Sequence, residues 1–112
     1  MPSASLRTAT ALLALAAALP LAALAATCAL DAAASVVPDG QRMVEVVSLT
    51  VYIAVDGSFT RLSQVADAAS RVIQDRFPSA VAPVRAAVGV ATLPGGAPVE
   101  VQLEGRVEPD CS

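Results

Sequence analysis

Two side chains in the last third of the chain have the right type for chemistry on a small anion. Arg85 stands in VRAAVGV (84–90), where Val84, Ala86, Val88 and Val90 alternate with Arg85, Ala87 and Gly89. Alternation with a period of two marks a strand, with successive side chains on opposite faces. The arginine row is otherwise small, which leaves room beside the guanidinium. Arginine is rarely buried unless paired. Its planar fork meets a carboxylate through two parallel hydrogen bonds. That carboxylate belongs either to a ligand or to an acid on a neighbouring strand, and the residues alone leave both open. Glu100 belongs to a second alternating run, with Val99, Val101, Leu103 and Val107 on one face and Glu100, Gln102, Glu104 and Arg106 on the other. On this pattern alone Glu100 is a solvated strand glutamate, like Glu104 or Glu108.

The rest of the composition narrows the chemistry. The 112 residues contain no histidine, and the seven basic residues are all arginines. A Ser-His-Asp or Cys-His mechanism is excluded on this chain alone, as are a Schiff-base lysine and a phosphate-loop lysine. His/Cys metal sites lack ligands, and with no nucleotide, metal or lysine signature no cofactor is expected. The net charge is −3, with no basic stripe. Phosphate contacts supply most nucleic-acid affinity, so no nucleic-acid partner is expected. Aromatics make up only 3%, and a core must come from Val, Leu, Ile and Ala.

The elements that would position these residues are set by periodicity and breakers. Cys28 to Val37 spaces Leu30, Ala33 and Ala34 as a short helix, stopped by Pro38-Asp39-Gly40. Val44 to Val55 alternates as a strand, with Val47, Leu49, Val51, Ile53 and Val55 facing a core and Ser48, Thr50, Tyr52 and Ala54 facing away. Tyr52 is read as packing or interface. Arg61 to Phe77 carries an apolar stripe of Leu62, Val65, Ala69, Val72, Ile73 and Phe77, with Ser58 or Thr60 as cap and Pro78 as stop. Strands at Val84–Leu93 and Pro98–Val107 flank the Pro94-Gly95-Gly96 turn. A direct hairpin would set Arg85 opposite Arg106 and Glu100 opposite Ala91. Six strand residues, about 20 Å, would then part Arg85 from Glu100. The order predicts an α+β fold with helices on one face of a sheet.

Residues 1–26 read as a signal-peptide-like leader. Arg7 precedes an uncharged run, and small residues allow cleavage after Ala25. The run is alanine-rich and holds Pro20, so stable membrane insertion is not expected. Export to a periplasmic or extracellular space is one reading. A cytoplasmic protein whose start merely resembles a leader is the other. Cys28 and Cys111 either pair, closing a loop of about 83 residues, or serve as a buried helix residue and a tail residue.

From about Cys28 to Pro109 the chain resembles the RidA family. The wording is carried by CALDAA (28–33), VVSLTVYIAVDGSFT (46–60) and, above all, VGVATLP (88–94) with APVEV (97–101). The resemblance implies a chorismate-mutase-like fold, here lacking the first strands. It divides the chain into the leader (1–26), a partial domain (27–109) and a tail (110–112). It implies hydrolysis of 2-imino acids or their enamines to 2-oxo acids and ammonia. Arg85, in the family's R-x-x-V-x-V pattern, would hold the substrate carboxylate. Glu100, in V-E-V, would help position the attacking water, and the backbone carbonyl of Ala87 would help polarise it. The family's homotrimers, with pockets between subunits, would unite residues too distant within one chain. Gly89 and the Leu93–Gly96 turn match the family as structural features. A non-catalytic metabolite-binding or assembly module of the same fold, or a truncated inactive remnant, is the alternative. The family's endoribonuclease label finds no support in the acidic composition.

Overall fold

The computed structural model describes residues 3–57 and 59–110. The first element is a single long helix, α1 (Ser3–Ser35), followed by strand β1 (Gln41–Ala54), helix α2 (Leu62–Arg76), strand β2 (Val84–Val90), a 3-10 turn at Pro94–Gly96 and strand β3 (Val99–Pro109). The described residues are thus α+β, with a mixed three-stranded sheet and two α-helices.

Alanine dominates α1, which explains why the helix runs unbroken through both the expected leader and the expected short helix. Its 33 residues span about 50 Å. Ala22 and Ala26 have 0% exposure and Leu30 has 1%. The spacing of four puts these residues on one stripe, and it joins the core. The expected cleavage point after Ala25 therefore lies in mid-helix, between two core residues. The stretch Ala17–Ser35 is long and apolar enough to cross a bilayer by length and composition, yet only 17% of it is buried, so most of it faces outward. Leu21 and Leu24 lie on that outward side. Gly40, at φ +80°, turns the chain into β1, and the Gln41 amide donates to the Pro38 carbonyl at 3.1 Å.

The sheet order is β2-β1-β3. β1 is central, parallel to β2 and antiparallel to β3. The hairpin expected between β2 and β3 is not formed. The α2 crossover lays β2 parallel beside β1, as a strand–helix–strand connection does. The Pro94–Gly96 turn then carries the chain over the end of β1 to its other edge. The end of β1 is held from both sides, with Ala54 N–H donating to the Pro98 carbonyl and Val55 N–H to the Val90 carbonyl, each at 2.9 Å.

Helices cover one face, with α1 against α2 and over β3, and α2 over β2. Beneath them Val46, Leu49, Val51 and Ile53 are 0–2% exposed. This departs from the expected face at one place. The ladder slips between Met43 and Glu45 and again between Val46 and Ser48. These bulges turn Val46 inward and leave Val47 41% exposed. An extra residue in one strand inverts the alternation beyond it. The helix cap also differs. Arg61, rather than Thr60, occupies the N-cap of α2, without a side-chain cap bond. Ser58, the other expected cap, lies outside the described residues.

Candidate functional site

β2 presents Arg85 to the helices. Arg85 is in register with Leu49, Ala87 with Val51 and Gly89 with Ile53, and paired residues share a face. The Arg85 guanidinium reaches α2, where Nη1 donates to Asp67 Oδ1 at 2.6 Å and to Ser70 Oγ at 3.0 Å. Asp67 and Ser70 are three apart and so share one face of α2. The partner acid lies on a helix rather than on a neighbouring strand. The Arg85 side chain is 29% exposed and that of Asp67 63%. A pair this open contributes about 0–1 kcal/mol.

Beside this ion pair lies a hollow of about 360 Å³. Its walls are mostly apolar and include Ile73, Phe77, Val81 and Pro83, with Ser70 and Arg85 at the polar side. It opens between the end of α2 and the segment leading into β2. The fixed φ of Pro78 and Pro83 helps shape that segment. Sequence reasoning missed Asp67, Ser70 and the hollow, because their meeting depends on how α2 lies across β2. The one available signal was the small row around Arg85, which leaves a gap for a partner.

Glu100 is elsewhere. It is in register with Tyr52, on the face away from the helices, and it is exposed. The neighbouring Tyr52 hydroxyl donates to Gln102 Oε1 at 3.2 Å. Two strand spacings and three residues of β1 separate Arg85 from Glu100, about 14 Å between backbones, and their side chains leave opposite faces. The registers Arg85–Arg106 and Glu100–Ala91 expected from a hairpin are replaced by Arg85–Leu49 and Glu100–Tyr52. Ala87 shares the Arg85 face and packs against the core.

The open face carries a second charged group. Arg106 Nε donates to Glu45 Oε1 at 2.7 Å, and its Nη1 donates to Glu108. The bond to Glu45, then that to Glu108, holds the Arg106 guanidinium above its ordinary pKa. The Arg106 bond holds the Glu108 carboxyl below the usual carboxylate value. Among the described residues no group of three His, Cys, Asp or Glu side chains converges as a metal site. Cys28 is exposed and free rather than a buried helix residue. Cys111 lies outside the described residues.

No protein-family model matches the chain, and no curated protein matches it. Among solved structures it is similar to a protein of unknown function from Agrobacterium tumefaciens, at 28% identity and a TM-score of 0.72, over 84% of this chain and 60% of that one. The chain spans less than two thirds of that structure's length, and the likeness extends over most of the α+β unit described above.

Proposed function

We propose that this chain is a RidA-like protein for small carboxylate metabolites, with Arg85 as the group that grips the anion. The observation that carries the reading is a guanidinium oriented at the rim of a largely apolar hollow of about 360 Å³. A hydrolytic role is the fuller form of the same reading. Water adds to the C=N carbon of a 2-imino acid, a proton passes to nitrogen, and the C–N bond breaks to release ammonia and a 2-oxo acid. Arg85 fixes the carboxylate, and Glu100 orients the water. The Ala87 carbonyl assists in polarising it. Because Arg85 and Glu100 leave opposite faces, Glu100 must come from a second copy, which fits a homotrimer with shared sites. A non-catalytic binding module retains Arg85 and needs no Glu100. Delivery across a membrane through the apolar start of α1 belongs to the same proposal, and fractionation of tagged cells tests it.

The deciding assay measures ammonia release from a 2-imino acid generated in place by an amino-acid oxidase. Two charge-assisted hydrogen bonds contribute about 1.5–3 kcal/mol each, so Arg85→Ala should lower kcat/KM by about 100-fold or more. Activity untouched by that change overturns the proposal. Absence of activity with retained Arg85-dependent binding selects the non-catalytic reading.

A further inference from the structure

Arg85 offers a ligand only part of its fork. Both contacts to α2 use the same nitrogen, Nη1, which meets Asp67 at 2.6 Å and Ser70 at 3.0 Å. That nitrogen carries two protons, and two acceptors engage it. The edge formed by Nε and Nη2 takes no part in either contact. It presents two parallel N–H groups at the spacing of carboxylate oxygens. Asp67 and Ser70 therefore determine which edge a ligand meets.

The hollow that Arg85 lines constrains the remainder of the ligand beyond its carboxylate. Val46, Ile73, Phe77, Val81 and Pro83 line it, and Arg85 is the one charged residue among those described there. A second carboxylate on the ligand would find no second cation there, only the uncharged Gln74 amide and Ser70 hydroxyl, and so would be poorly compensated for lost water. An apolar tail would gain about fourfold in affinity per buried methylene. The volume, about 360 Å³, is at the small end of ligand sites and leaves room for a short tail beside the carboxylate.

Resting on the carboxylate reading above, we infer that this hollow selects monocarboxylates with a short apolar side chain, held on the Nε–Nη2 edge of Arg85, with Asp67 and Ser70 as positioning residues. The selection is made within one chain, by α2 and the segment entering β2. It does not depend on the open sheet face or on Glu100.

Calorimetric titration of the full chain tests this with three stable 2-oxo acids: 2-oxopropanoate, 4-methyl-2-oxopentanoate and the dicarboxylate 2-oxopentanedioate. The branched acid should bind at least about tenfold tighter than 2-oxopropanoate, as three extra carbons allow, and the dicarboxylate should bind most weakly. Val81 is 82% exposed, so Val81→Glu leaves the core intact. The added carboxylate should weaken all three acids by repulsion, and weaken the branched acid about tenfold more than 2-oxopropanoate, which removes the preference. Asp67→Asn still accepts from Nη1 but no longer offsets the guanidinium charge. It should tighten all three acids severalfold and preserve their ratios, which loss of a purely structural contact would not do. Equal affinity for the branched and short acids, or a preference that survives Val81→Glu, overturns the hollow as selector even if Arg85→Ala abolishes binding. Unchanged or weaker binding in Asp67→Asn overturns the positioning role. Failure of all three acids to bind defeats both this inference and the carboxylate reading.

Discussion

Arg85 and Glu100 lie on opposite faces of one sheet, the first in register with Leu49 and the second with Tyr52 of the central strand. A site using both must draw them from different chains. Co-expression of Arg85→Ala with Glu100→Gln is therefore expected to restore activity that neither variant has alone. Random mixing leaves intact the sites that take arginine from one variant and glutamate from the other, about a quarter of the wild-type number in a cyclic assembly. Ammonia release from the co-purified mixture measures it. Activity no greater than that of the separate variants would show that the two residues do not share a site.

The bulge in β1 makes two apolar positions, two residues apart, unequal. Leu49 is 1% exposed, whereas Val47 is 41% exposed. Leu49→Ala should destabilise the fold by about 2–5 kcal/mol. Val47→Ala should stay within about 0.5 kcal/mol. Urea unfolding midpoints compare them, and an equal loss at both positions would refute the register slip.

Two glycines carry different steric demands. A Cβ at Gly89 would stand 3.0 Å from Val55 Cγ2 and 3.4 Å from Leu62 Cδ1. The bulk of Gly89→Val should cost about 1–3 kcal/mol by overpacking. A Cβ at Gly105 would stand 2.9 Å from Met43 Sδ, the flexible part of a methionine that can swing aside. Gly105→Ala should cost under about 1 kcal/mol. Thermal melts in parallel provide the comparison.

The Arg106–Glu108 bond predicts an acid-sensitive contribution. The folded-state pKa of Glu108 lies below its ordinary value of 4.5. A depressed carboxylate stabilises the fold above its unfolded pKa, and that support is lost as pH falls through the lower folded value. Wild type should therefore lose more stability than Glu108→Gln on descending below about pH 4.5. Melting temperatures from pH 7 to pH 3 test the sign, and parallel curves would contradict it.

Periodicity made much of this architecture legible. Alternation located β2 and β3 and assigned Glu100, Gln102 and Glu104 to the face away from Val99, Val101 and Leu103. The stripe Val65, Ala69 and Ile73 correctly marked the buried side of α2. Strand pairing was not legible, because a period of two says which side a residue faces and not which strand lies beside it. A turn as suggestive as Pro94-Gly95-Gly96 implied a hairpin, and the crossover through α2 decided otherwise. The Val47 bulge was equally hidden within an unbroken apolar run. At the site, the small row around Arg85 announced a partner, but the placement of Asp67 and Ser70 depends on helix docking. The continuity of α1 was obscured for a chemical reason, since alanine-rich leaders and alanine-rich core helices have the same composition.

The alanine stripe of α1 has a consequence for the history of each molecule. Translocation machinery needs an apolar segment unengaged, whereas this fold buries Ala22 and Ala26 in its own core. Under the proposed export, passage and folding would claim the same few residues and compete in time. A newly made chain that zipped up first would then forfeit its passage, and one captured first would surrender part of its interior.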